Sequence, residues 1–148
     1  MAIAVDVLNA GETAIDTASG TVAVTTTATI ASGATIIVTG TSTVRTAVSA
    51  ADNGPVLTWA LDKSGTSANG NSWILSAYAP AGMASGTVIT VTLGGTDAFG
   101  RSAVVTSFTG VLSASPVDTT SGPTNFTTTT AWTSASTTIL AGSLLIAV

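Results

Sequence analysis

Apolar and polar residues alternate along most of this chain with a period of two, and almost nowhere with the roughly 3.6-residue period of an amphipathic helix. The clearest case is "TVITVTL", where Ile89, Val91 and Leu93 share one face and Thr90 and Thr92 the other. "TVAVTTTATI" places Val22 and Val24 on one face, and "SWILSAYAP" opposes Trp73, Leu75 and Ala77 to Ile74, Ser76 and Tyr78. "ATIIVTG" reads as a buried strand around Ile36 to Val38, and "RSAVVTSFTGV" opposes Val104, Thr106 and Phe108 to Val105 and Ser107. "AIAVDVL" sets Ile3, Val5 and Val7 on one face against Ala4 and Asp6, and "VLTWALD" sets Leu57, Trp59 and Leu61 on one face. "TVRTAVSA" reads as a polar-faced strand.

Turn chemistry separates these runs. Ser32-Gly33, "ADNGP" with its Asn-Gly pair, "PAGMASG" and "GGTDAFG" punctuate the chain, and Pro80 ends a strand because it has no N–H for a ladder. "GETAIDTASG" reads as turn or short edge, and "KSGTSANGN" as the loop of a hairpin flanked by Trp59 and Trp73 as a cross-strand pair. "SASPVDTTSGPTN" reads as a long exposed connection before "FTTTTAW" and "TTILAGSLLIAV". Roughly nine or ten strands without helical crossovers make an all-β chain, and strands joined this way run antiparallel. The fold class expected is an antiparallel β-sandwich, jelly-roll-like, with residues 1–20 as an N-terminal arm or edge strand and 21–148 as the sandwich domain. A faint echo links "TTTATIASGATIIVTG" to "TTTAWTSASTTILAGSLLIAV".

The last ten residues, "ILAGSLLIAV", change this picture. A strand with Leu144, Ile146 and Val148 on one face and Leu145 on the other is apolar on both sides. It suits a central strand or one covered by another subunit, since an open apolar edge invites aggregation. Charge strengthens the point. Charged residues make up 7% of the 148 residues, against about 25% in ordinary domains. The usual electrostatic guards against self-association are therefore few.

Composition also removes function classes. Arg45, Lys63 and Arg101 are the only basic residues and the net charge is −4, so phosphate-neutralising nucleic-acid binding is not expected. The chain has no His and no Cys, which excludes a Ser-His-Asp triad, disulfides and thiolate chemistry. The carboxylates are Asp6, Glu12, Asp16, Asp52, Asp62, Asp97 and Asp118. A pair of them could serve glycoside hydrolysis, but Asp52, Asp62, Asp97 and Asp118 lie beside turn signals, where Asp caps backbone N–H groups. Calcium at Asp97 or Asp118 lacks an EF-hand-like run, and no metal or cofactor is expected. The start "MAIAVDVLNAG" does not read as a secretory signal, and no apolar run is long enough to span a bilayer as a helix.

From Thr25 onward the order of features resembles modular jelly-roll-like β-sandwich domains of phage structural proteins (head-decoration and fibre parts) and of bacterial surface proteins. The pieces that carry the likeness are "TTTATIASGATIIVTG", the hairpin ending "SAYAP", "GTVITVTLGG", and "AVVTSFTGV" followed by "SPVD". The resemblance spans roughly residues 21–148. Such domains often continue for several strands beyond a segment like "LLIAV". The resemblance implies head-decoration or fibre roles, or carbohydrate-binding and adhesive ones. With the charge-poor composition, the first reading is a non-enzymatic virion structural protein, a bacteriophage capsid decoration (cement) protein. It would be assembled in the host cytoplasm and pack against the major capsid protein or other virion proteins and copies of itself, with no nucleic acid or membrane as partner. Its contact residues would be Ile3, Val5, Val7, Leu144, Leu145, Ile146 and Val148. The alternative is a carbohydrate-binding or adhesive module that stacks sugar on Tyr78 and Trp132.

Overall fold

The computed structural model describes residues 3–15, 19–43, 47–67, 70–94 and 100–111. They form eight strands: β1 (Ala4–Ile15), β2 (Thr21–Thr25), β3 (Ala34–Ser42), β4 (Ala47–Asp52), β5 (Trp59–Ser67), β6 (Gly70–Ala79), β7 (Val88–Leu93) and β8 (Arg101–Thr109). All pairings are antiparallel, in a five-stranded sheet ordered β1-β8-β3-β6-β5 and a three-stranded sheet ordered β2-β7-β4. The chain is thus an all-β, two-sheet antiparallel sandwich.

The period-two pattern sets which faces meet. Val22 pairs with Val91 and Val24 with Ile89, and all four are buried. Against them the five-stranded sheet turns Ile36, Val38, Leu75, Trp73, Ala103 and Val105 inward. Each fully buried Val, Leu or Ile contributes about 1.5–3 kcal/mol over an exposed one. Among the described residues Trp73 is the largest buried side chain, and Gly40 lies directly opposite it on β3. One end of the core is closed by two loops. Ile30 and Met83, both buried, exchange backbone hydrogen bonds of 2.8 and 3.1 Å. Gly33 then turns the chain into β3 at φ 78°, where its N–H donates to Ala79 O, and a residue with a Cβ would be strained.

Four sequence expectations change. β1 continues through "GETAI" to Ile15, where turn or short edge was expected. Gly11 makes that possible, because a Cβ there would lie 2.5 Å from Thr25 O on β2. β5 continues to Ser67 instead of ending at Asp62, because Gly65 and Thr66 pair with Ser72 and Asn71. Trp59 and Trp73 are not a cross-strand pair: Trp59 lies opposite Ala77, and Trp73 opposite Ser64. The fourth concerns the shared face of Ile3, Val5 and Val7. A bulge at Asp6 places Val5 opposite Phe108 but Val7 opposite Ser107, which turns the two valines to opposite faces.

Candidate interaction surfaces

Among the described residues β1 and β5 are the edges of the five-stranded sheet, and both are irregular. On β1 the bulge residue Asp6 points inward and is held there. Its Oδ2 accepts from the Ser107 hydroxyl at 2.9 Å and from the Ala31 N–H at 2.9 Å, while Val7 N–H donates to Ser107 Oγ at 3.1 Å. This fixes β1 to β8 and to the β2–β3 loop. Val7 packs partly buried against the core, and Ile3 is half-buried. Val5 is 55% exposed. A second irregularity follows: Leu8, Asn9 and Ala10 lie between the Val7–Ser107 and Gly11–Val105 pairs. Asn9 adopts φ 52°, and Leu8 is 75% exposed. Ala10 O is already used, accepting from the N–H and the hydroxyl of Thr27. A continuous new strand therefore cannot pair along the whole of β1.

Near the other edge, an arch carries the chain from β4 in the small sheet to β5 in the large one. Asp52 organises it. Its carboxylate accepts from the backbone N–H of Gly54 (3.2 Å), Val56 (2.8 Å) and Leu57 (2.8 Å) and from Trp59 Nε1–H (3.1 Å). Burial alone would raise its pKa, but the donors from Leu57, Trp59, Val56 and Gly54 prevail and hold it below the ordinary carboxylate value. The arch holds Val56 at φ 55°, which a β-branched residue rarely adopts, and leaves its side chain 80% exposed. Leu61, opposite Leu75 on β5, is 40% exposed because it sits at the sheet's edge. Beyond it, Asp62 lies in a bulge between Leu61 and Lys63. Burial pushes the Asp62 carboxyl above its ordinary value, against a hydrogen bond from the Ser76 hydroxyl that lowers it.

The face of the large sheet turned away from the core carries rows of residues at matched register. One runs Val5, Phe108, Thr35, Tyr78; another runs Glu12, Val104, Thr39, Ile74, Lys63. Tyr78 is half-buried in the first row, beside Thr35, whose Oγ1 is buried without a hydrogen-bond partner.

Of the residues singled out by sequence, the structure therefore brings Val5 to an exposed edge, turns Val7 inward and places Tyr78 on the outer face. Trp132, Leu144, Leu145, Ile146 and Val148, with Asp16, Asp97 and Asp118, lie outside the described residues. Pattern reading missed Leu8 and Val56. Leu8 sits beside a backbone irregularity that no local motif announces, whereas Val56 follows the Asn-Gly-Pro turn signal directly. Among the described residues, no group of three or more His, Cys, Asp or Glu side chains is placed to hold a metal ion. Among them, too, no helix is long and apolar enough to cross a membrane. No protein-family model matches the chain, and no curated protein or solved structure matches it.

Proposed function

We propose that this chain is a non-enzymatic structural protein of a virus particle, a jelly-roll-like head-decoration (cement) protein of a bacteriophage. It works by docking on a shell of major capsid protein and on copies of itself. The observation that carries this reading is where the apolar exposure falls. Val5, Leu8, Val56 and Leu61 are the exposed large hydrophobics among the described residues, and all lie on the edge strands or the arch. Surface of that kind at strand edges is stable when another protein covers it. Two of the carboxylates, Asp6 and Asp52, are engaged by donors of the fold, which supports a structural role for them. The mechanism is burial at the shell interface, at about 25 cal/mol per Å2 of apolar area less the costs of association.

Immunogold labelling of purified particles, using an antibody against this chain, tests the reading. Regular label over the shell is expected. Label confined to the soluble fraction, with bare particles, would overturn it.

A second reading, a carbohydrate-binding or adhesive module, is favoured by one observation. Tyr78 stands half-buried on the outer face of the large sheet, so part of its ring is open to stack on a sugar. On that reading a glycan array shows binding that Tyr78→Ala abolishes. Binding unchanged in the variant, or absent in the parent, would remove it.

A further inference from the structure

The two edges of the large sheet complement each other, and the complementarity is set by register. β1 and β5 are separated by three antiparallel neighbours, so β1, β3 and β5 run in one direction and β8 and β6 in the other. One row across the sheet begins with Glu12 on β1 and ends with Lys63 on β5. The chain's charges are few, and among the described acids Asp6 and Asp52 are held by internal donors while Asp62 is half-buried. Glu12 is exposed, with its Oε2 accepting from the Asn9 amide at 3.1 Å, and Lys63 is half-buried. A carboxylate and an ammonium thus stand at opposite ends of the same row. The exposed apolar side chains follow the same division: Val5 and Leu8 on β1, Val56 and Leu61 at the β5 side.

We infer that the β1 edge of one copy docks against the β5 edge of the next, with Glu12 beside Lys63 of the neighbouring copy and Leu8 and Val5 against Leu61 and Val56. The occupant of each edge is a second copy of this chain. A translation that lays one sheet beside another brings the two ends of the Glu12–Lys63 row together, so the acid meets the base. Because β1 and β5 run in the same direction, it also lays the stretch of β1 that carries Val5 and Leu8 alongside the stretch from Val56 to Leu61. Docking β1 against β1 would offer Glu12 no basic side chain, since β1 carries none. The contact is heterologous and head-to-tail, and it propagates as a row or closes as a ring. The bulges at Asp6 and at Leu8 to Ala10 prevent a continuous backbone ladder, so side chains carry the contact. This deepens the self-association part of the reading above, and it is tested without any capsid.

Full-length chains carrying Glu12→Lys or Lys63→Glu provide the test, by native mass spectrometry and sedimentation, with circular dichroism confirming that each is folded. The wild-type chain is expected to associate. Each single variant is expected to associate at least about tenfold more weakly, because like charges then face each other across the contact. Mixing the two variants in equal amounts is expected to restore association, since every new contact again pairs opposite charges. The chain carrying both substitutions is expected to associate like wild type. Leu8→Ser, which changes no charge, is expected to weaken association independently. Wild-type chain that stays monomeric, a Lys63→Glu variant that associates unchanged, or a mixture that fails to recover would each overturn the inference. Shell binding by a chain that shows no head-to-tail contact would sink this inference and leave the capsid reading standing.

Discussion

Gly40→Ala is expected to destabilise the folded chain by about 2–3 kcal/mol, a large effect for one methyl group. The reason is the close approach of β3 to the Trp73 indole. A Cβ added at Gly40 would lie 2.6 Å from Trp73 Cε2 and 2.6 Å from Ser102 O, both inside the separation that real contacts keep. The indole is fully buried among core side chains and the carbonyl belongs to the neighbouring strand β8, so neither gives way cheaply. Gly70→Ala is the matched control: there the added atom would lie 3.7 Å from Ser42 O, an ordinary contact. Urea unfolding followed by tryptophan fluorescence is the measurement. A lower midpoint for Gly40→Ala with an unchanged slope, and a near-parental midpoint for Gly70→Ala, is the expected pair. Equal midpoints for the two variants would show that the core has room above Gly40.

Asp52→Ala is expected to cost about 2–3 kcal/mol, because one carboxylate satisfies three backbone N–H groups and an indole N–H. Its removal also releases Val56 from a backbone conformation that the clamp maintains. Asp52→Asn should fall between the two, since one amide oxygen still accepts. The dependence on pH follows from the direction of the shift. Burial opposes the charge on Asp52, but the donors led by Leu57 outweigh it, so the folded value lies below the ordinary 3.8. The stabilisation is therefore complete above the unfolded value and is lost as pH falls through the lower folded one. Asp62 has the opposite sign. Burial raises its carboxyl despite the Ser76 hydrogen bond, so its contribution worsens as pH rises from 3.8 through the raised value. Acid titration of Asp52→Asn should show a shallower loss of stability at low pH than the parent, with Trp59 emission reporting the arch. A parallel pair of acid curves would mean that the clamp contributes nothing.

The faces of the core were legible because burial on one side of a sheet leaves a period-two trace. Val22 with Val24, Ile89 with Val91 and Leu93, and Trp73 with Leu75 and Ala77 all follow it. Asp52 was legible too, as an acid beside an Asn-Gly turn. The misreadings have a common cause in long-range pairing. "KSGTS" has turn-like composition, but its partners on β6 make it strand. The face of Val5 depends on the bulge at Asp6, which is fixed by Ser107, about a hundred residues away. Trp59 reaches down to Asp52 rather than across to Trp73, because the arch bends the chain between sheets before β5 begins. The alignment of Glu12 with Lys63 could not be read locally at all, since it is transmitted through four strand registers.

The central claim is that the exposed apolar edges of this sandwich are built to be covered by further copies of the same chain. Sedimentation velocity of the full 148-residue chain, from dilute to concentrated solution at moderate salt, measures this most directly. The expected result is a weight-average mass that climbs steadily with concentration while the secondary structure stays that of a β protein. A single species of monomer mass across the whole range would contradict the claim.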